Sequence, residues 1–432
     1  MALKLSAGDA GFADAFAALI AKSREAKSNV DGVVANVLAD VKARGDQAVI
    51  EYSRKFDRLE LTAATFAFSK DEIAGAAARC DAKTLAALNE AAERIRAYHL
   101  RQLPTDDFFT DKSGIGLGWR WTAVSSAGLY VPGGTAALFS SVLMNAIPAK
   151  VAGVDRLVVT MPTPDGKVNP LTLAACAVAG VDEVYRVGGA QAVAMLAYGT
   201  QTVRAVDKIV GPGNAYVASA KKQVFGTVGI DMIAGPSEVT VVSDGETDPA
   251  WIAADLLAQA EHDASSQSIL ITDDEAFGDR VIQAVEGHLK TLPRRETAAK
   301  SWHDNGAVIV VKNINDAPAL VNRIAPEHLE LAVADPKAMV KAIRHAGAIF
   351  LGRHTPEAVG DYSAGPSHVL PTSGSARFSS GLGVLDFMKR TSLIDCGVSG
   401  LAAIGPGALA MAEAEVLDAH ALSVSIRLNA RG

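Results

Sequence analysis

Four times between residues 154 and 231 an aliphatic residue is followed by aspartate and a short β-prone run. These are Val154-Asp155 before Leu157-Val-Val-Thr, Val181-Asp182 before Val184-Tyr-Arg-Val, Val206-Asp207 before Lys208-Ile-Val, and Ile230-Asp231 before Met232-Ile-Ala. Successive aliphatic positions lie 27, 25 and 24 residues apart. That interval holds one strand, one helix and their turns, the crossover length that parallel strands require. A second block (Ser268-Ile-Leu-Ile-Thr, Ala307-Val-Ile-Val-Val, Leu329-Glu-Leu-Ala-Val and Ala348-Ile-Phe-Leu) repeats the arrangement with helical segments between. The expected fold is therefore α/β, with two parallel-sheet domains carrying helices on their faces.

The flanks read differently. Residues 1 to about 105 are patterned as helices: Val33, Val37, Leu38, Val41, Val49 and Ile50 recur at helical intervals, interrupted at Gly45, and Glu72 to Leu100 continues in alanine-rich turns. Nothing there collects polar groups on one spot. The polar Ser243–Asp248 stretch marks the expected break between the two sheets. The resulting division is a mainly helical region over 1–120, a first α/β domain over 121–245, a second over 246–381, and a tail over 382–432. The tail is too short to own a core and should dock on another domain or subunit.

A chain of 432 residues, 49% hydrophobic and 21% charged, suits a compact enzyme of more than one domain. Its net charge of -7 argues against general nucleic-acid binding. Cys80, Cys176 and Cys396 stand far apart, without disulfide or thiolate-metal spacing, which fits a reducing cytoplasm. Asp9 and Asp14 interrupt what would be the core of an export signal. Trp121 to Ala149 is uncharged, yet its Ser, Gly, Pro and Asn content points to buried loop and strand rather than a membrane span.

Candidate chemistry gathers in loops and one helix. Gln259 and His262 are three residues apart, so in a helix they share a face at metal-ligand spacing, although such a pair is more often a solvated helix edge. Tyr130-Val-Pro-Gly-Gly134, Gly188-Gly-Ala-Gln191, Gly211-Pro-Gly-Asn214 and Gly235-Pro-Ser-Glu238 are expected beyond the carboxyl ends of strands, where open sheets bind ligands. Glycine there lets backbone amides approach a phosphate or sugar. The G-x-G-x-x-G dinucleotide fingerprint is missing: Gly114-Ile-Gly-Leu-Gly-Trp119 and Gly211-Pro-Gly-Asn-Ala-Tyr216 both fail it. Glu327 and His328 adjoin at a strand entrance, where an imidazole can take an alcohol proton and a carboxylate can activate water. Asp361 and His368 share a Gly/Pro loop, and Glu413, Glu415 and His420 stand in the tail.

Six of these segments, taken in order, resemble the histidinol dehydrogenase family: Ala127–Gly134, Gly211–Asn214, Ala258–Asp263, Ala325–Glu330, Ser367–Thr372 and the Glu415 to His420 tail. The resemblance runs from about residue 30 to the C-terminus. It implies a cytoplasmic, zinc-containing homodimer with two incomplete Rossmann-like domains and intertwined subunits, oxidising L-histidinol to L-histidine in two NAD-dependent steps. Carried over by position, Gln259, His262, Asp361 and His420 resemble the zinc ligands, with His420 supplied by the partner chain. Glu327 and His328 look like the catalytic pair. Ser237, His368 and Glu415 look like substrate contacts, joined by Gln259, His262, His328, Asp361 and His420. Tyr130, Gln191 and Asn214 look like NAD contacts.

The donor set agrees chemically, since nitrogen and oxygen ligands without thiolate suit zinc, with manganese or cobalt able to substitute. No cysteine falls in these motifs, which argues against a covalent thiohemiacetal. The competing readings are a related zinc/NAD alcohol dehydrogenase acting on another small polar alcohol such as a sulfonated diol, a metal-dependent hydrolase, and a non-catalytic NAD- or metal-binding protein.

Overall fold

The computed structural model describes residues 2–24, 30–133 and 138–429. Gly134, the last residue of the first glycine loop, lies outside them. The chain begins with strand β1 (Leu3–Ser6) and helices α1 (Phe12–Arg24), α2 (Asp31–Arg44), α3 (Asp46–Asp57), α4 (Lys70–Ala74) and α5 (Ala82–Leu100). Gly45, at φ 58°, breaks α2 from α3 where the sequence places the interruption. On α2 the core takes Val34, Val37, Leu38 and Val41, whereas Val33 faces solvent.

Strands β2 (Asp107–Thr110) and β3 (Gly116–Ala123) follow, then the first parallel unit: β4 (Ser126–Tyr130), α6 (Phe139–Ala152), β5 (Arg156–Thr160), α7 (Pro170–Ala179), β6 (Glu183–Tyr185), α8 (Gly189–Tyr198), β7 (Lys208–Val210), α9 (Ala215–Val224) and β8 (Gly229–Ile230). Its five strands pair in parallel in the order β6-β5-β4-β7-β8. Alternate residues go to opposite faces. Leu129, Leu157 and Val159 pack with α5, α6 and α7, while Val158 and Ile209 pack with α2, α8 and α9. The repeated aspartates staple this sheet: Asp182 Oδ2 accepts from the amide of Leu157 at 2.8 Å, and Asp207 Oδ2 from that of Ser126 at 2.9 Å. The described residues of the uncharged Trp121–Ala149 stretch include the half-buried end of β3, all of β4 and most of α6, with β4 and the α6 residues from Ser140 to Ala149 buried.

The second unit runs through β9 (Glu238–Ser243), α10 (Pro249–Ala260), β10 (Gln267–Thr272), α11 (Glu275–Leu289), α12 (Arg295–Asn305), β11 (Ala307–Val310), α13 (Ala317–Ile324), β12 (His328–Ala332), α14 (Pro336–Met339), β13 (Ala348–Leu351) and α15 (Glu357–Tyr362). Its six strands, all parallel, lie in the order β1-β11-β10-β9-β12-β13. The chain therefore changes sheets between β8 and β9, ahead of the polar Ser243–Asp248 stretch. Residues 3–6, which carry no repeat signature, supply an edge strand beside β11. The N-terminal helices have no core of their own: α2 and α5 cover the first sheet, and Phe16 and Leu19 of α1 pack on the second.

The tail opens with β14 (Met388–Asp395), antiparallel to β3, and ends in α16 (Val398–Ala414) and α17 (Asp418–Leu428), which pack on one another. Val398, Met411, Val416, Leu422 and Ile426 of this pair are exposed. Among the described residues no helix is long and apolar enough to cross a membrane.

Candidate active site

In the first sheet the direction of strand order reverses between β4 and β7. Such a reversal opens a crevice at the carboxyl ends, because the connections leave to opposite sides. The loops leaving it are Val131-Pro-Gly133 and Gly211–Asn214, and a cavity of about 510 Å³ beside the first of them is lined by Val131, Pro132, Gly133, Met161, Pro162 and Asn169, among others. Tyr130 ends β4 with 4% of its surface exposed; its hydroxyl accepts from the amide of Gly189 at 3.1 Å, and burial raises its pKa to about 12. Gln191 is buried in the first turn of α8. The Asn214 side chain accepts from the amides of Tyr216 and Val217, capping α9. Tyr130 and Asn214 thus brace the crevice walls.

The second sheet reverses between β9 and β12, but its polar cluster lies at the opposite end. Gly235-Pro-Ser-Glu238 leads into β9 instead of leaving a strand, which corrects the expected position: the run expected as a strand, Met232-Ile-Ala, forms none, and the pairing residues are Gly229 and Ile230 ahead of it. Ser237 lies just ahead of β9, its carbonyl accepting from the amide of Gln267 at 3.0 Å. Across from it, Ala325 ends α13 at φ 52°, a left-handed conformation that costs a non-glycine residue and turns the chain sharply through Pro326 into β12.

That turn delivers Glu327 and His328 to the backbone of Glu238. Glu327 Oε2 accepts from the Glu238 amide at 2.8 Å, and His328 Nδ1 lies 3.1 Å from the Glu238 carbonyl. A carbonyl only accepts, so Nδ1 carries the proton and Nε2 the lone pair. Burial lowers the His328 pKa to about 3 and raises that of Glu327 well above the ordinary carboxylate value. His328 Nε2 is buried without a hydrogen-bond partner, 3.9 Å from Asp361 Oδ1.

Two helix ends complete the cluster. Gln259 is the penultimate residue of α10, and one end of its carboxamide faces two acceptors, Glu357 Oε1 at 3.2 Å and the Glu238 carbonyl at 3.3 Å, which assigns that end to the amide nitrogen and leaves the oxygen for another partner. His262, one turn on, has Nε2 at 3.9 Å from Asp361 Oδ2. Its pKa is lowered, chiefly by desolvation, with the Asp361 carboxylate opposing the shift. Glu357 and Asp361 project from one face of α15, four residues apart, and burial raises both pKa values. His368 Nδ1 lies 3.0 Å from the Asp361 carbonyl and its Nε2 3.1 Å from Ser141 Oγ at the start of α6, with burial lowering its pKa to about 4. Both His368 nitrogens are thus engaged by protein, and a substrate reaching Nε2 would displace Ser141. Through Ser141 the carboxyl-end crevice of the first sheet abuts the amino-end cluster of the second.

A sequence profile of the histidinol dehydrogenase family matches residues 20–428. The chain belongs to the histidinol dehydrogenase family. It is 64% identical to the histidinol dehydrogenase of Rhodospirillum rubrum over 430 residues and 61% identical to that of Rhizobium meliloti over 429, covering 99% of each chain in both comparisons. The crystal structure of histidinol dehydrogenase from Elizabethkingia anophelis superimposes with a TM-score of 0.93 at 37% identity, covering 99% of this chain and 98% of that one. The family is NAD-dependent and zinc-binding.

The donor set fits a cation of that kind. His328, Glu357 and Asp361 offer ligand atoms all within 4.8 Å of one another, and Glu357 Oε2 is a buried polar atom without a partner. Gln259, His262 and Asp361 meet around the same spot. Glu415 and His420 do not: both are exposed in the C-terminal helix pair, and among the described residues no hydrogen bond or ion pair joins either to the cluster. Sequence reasoning missed Glu238, Glu357 and Ser141, and gave no role to Glu330, whose Oε1 accepts from the Glu357 amide at 2.7 Å. The i, i+4 spacing of Glu357 and Asp361 was the available signal. Cys176 is buried in α7 with its thiol pushed up to about 12, the opposite of an activated nucleophile.

Proposed function

We propose that this chain oxidises L-histidinol to L-histidine through L-histidinaldehyde, transferring two hydrides to NAD and consuming one water. The buried, unpartnered lone pair of His328 Nε2 carries the reading: an imidazole whose Nδ1 faces the Glu238 carbonyl presents its other nitrogen beside the carboxylates of the cation site, where a substrate hydroxyl would meet it. Gln259, His262 and Asp361 of one chain, with the partner subunit's His420, would hold zinc. When bound, zinc supplies the positive charge that orients the amine and imidazole of the substrate. Asp361 stands between His262 and His328 and would set the hydroxyl-bearing carbon against the imidazole.

In the first step His328 Nε2 removes the hydroxyl proton while hydride leaves the same carbon for NAD, giving the aldehyde. In the second, Glu327 takes a proton from water adding to that aldehyde, and the resulting hydrate anion loses hydride to a second NAD, leaving the carboxylic acid of histidine. The tetrahedral hydrate needs no cysteine. Each NAD would lie across the crevice bounded by Val131–Gly133 and Gly211–Asn214, with Tyr130, Gln191 and Asn214 shaping its walls. Ser237, His368 and Glu415 would hold the substrate together with the ligand residues, and His328 would touch it directly. The exposed apolar face of α16 and α17 supports a homodimer in which each tail docks on the partner and brings Glu415 and His420 to its site. In that homodimer the two sheets serve as separate nucleotide and metal domains.

Zinc-replete protein should reduce NAD with histidinol and show no turnover of a sulfonated diol or of ester and amide substrates. NAD reduction with the diol alone would overturn the substrate assignment.

A further inference from the structure

Three of the four repeated aspartates make strand-stapling hydrogen bonds, but Asp231 is out of series. Asp182 and Asp207 come just before their strands and bind neighbouring amides at the amino edge of the sheet. Asp231 follows β8, at the carboxyl edge, and its Oδ2 accepts from the amide of Gly211 at 2.8 Å. Lys221, seven residues along α9 from Asn214, reaches back to the same residue: its Nζ donates to the Gly211 carbonyl at 2.8 Å and pairs with Asp231 Oδ1. The lysine and aspartate side chains are 2% and 0% exposed.

Gly211 is thereby held at both its N–H and its C=O, and it has no freedom on the third side. Its φ is +110°, and a Cβ there would lie 2.3 Å from the Tyr130 carbonyl on β4. The ion pair therefore fixes the exit of the Gly211–Asn214 loop across the reversal point of the first sheet. Lys221 itself is buried, its Nζ turned to the Gly211 carbonyl and Asp231 rather than to solvent.

We infer that Lys221 and Asp231 are positioning residues for the dinucleotide: the buried pair clamps Gly211 so that the 211–214 loop keeps the shape that receives NAD. This rests on the proposed placement of NAD in that crevice. Because replacing both members of a buried pair by neutral groups of similar size is often tolerated, the test does not depend on an unpaired charge. Lys221→Met with Asp231→Asn keeps the amide anchor and loses the carbonyl anchor. It should raise KM for NAD about tenfold through lost binding, while KM for histidinol, bound zinc and melting temperature stay near wild type. Lys221→Gln with Asp231→Asn restores a donor and an acceptor without charge, and KM for NAD should return to within about twofold.

An unchanged KM for NAD in the first variant, a parallel shift in both substrates, or a tenfold rise in the second would overturn the brace. Amide exchange separates this from the underlying placement. NADH should protect residues 211–214 of the wild-type protein. If it does not, the crevice assignment fails; if it does and the first variant binds NAD normally, the brace alone fails.

Discussion

At the scale of single residues, Glu327 and His328 are adjacent yet suit the different tasks proposed for them because both turn to one backbone unit, the amide and carbonyl of Glu238. The histidine is left with a free lone pair, and the glutamate with one oxygen committed and one available. Exchanging His328 for Asn should lower the rate of histidinol oxidation about 10²- to 10⁴-fold, the usual worth of a positioned general base. Glu327→Gln should lose a similar factor in oxidation of supplied histidinaldehyde and much less in the alcohol step. Single-turnover NADH formation from each substrate separates the two, and equal losses in both steps for Glu327→Gln would contradict the division of labour. The types and sequence positions of these residues were legible, but their hydrogen-bonding was not. Nothing in Gly235-Pro-Ser-Glu238 shows that its last backbone unit will meet residues 327 and 328, since that contact exists only once β9 and β12 pair.

At the scale of elements, α15 is the part whose placement matters most, as its six residues carry Glu357 and Asp361. Glu330, two residues beyond His328 on the same face of β12, ties the strand to the first amide of this helix. Burial raises the Glu330 pKa well above normal, and Asp255 adds to the rise. Glu330→Ala leaves the Glu357 amide unpaired in a buried place, at a cost of about 1–3 kcal/mol. Because Asp361 moves with the helix, zinc affinity in competition with a chelator should fall about 10- to 100-fold. Glu330→Gln, which keeps an acceptor, should retain most of both; affinity unchanged in the alanine variant would show that α15 is placed by other contacts. The regular strands of both sheets were legible from β-branched runs at crossover spacing. The allegiance of β9 was not, because a run such as Glu-Val-Thr-Val-Val-Ser carries no mark of which sheet it will join. Nor was β1, a strand of four residues that finds its strand partner in β11, some 300 residues away in sequence.

At the scale of the whole molecule, two crevices of opposite polarity are brought face to face, with Ser141 and His368 at the join. One chain leaves Glu415 and His420 exposed and an apolar helix pair uncovered, and the proposed completion of the site from a partner is a matter of geometry that no single sequence displays. If the partner's His420 completes each site, His328→Asn and His420→Asn homodimers should both be inactive. Dissociating and remixing equal amounts should restore about a quarter of wild-type activity, because half the dimers are mixed and each has one intact site. A remixed sample as inactive as its parents would place His420 in its own chain's site.

The central claim is a four-electron oxidation carried through a bound aldehyde, and NADH stoichiometry tests it most directly. With histidinol limiting and NAD in excess, zinc-replete protein should form two NADH for each histidinol consumed, with histidine as the product. One NADH per histidinol with histidinaldehyde released, or no NADH at all, would contradict the account.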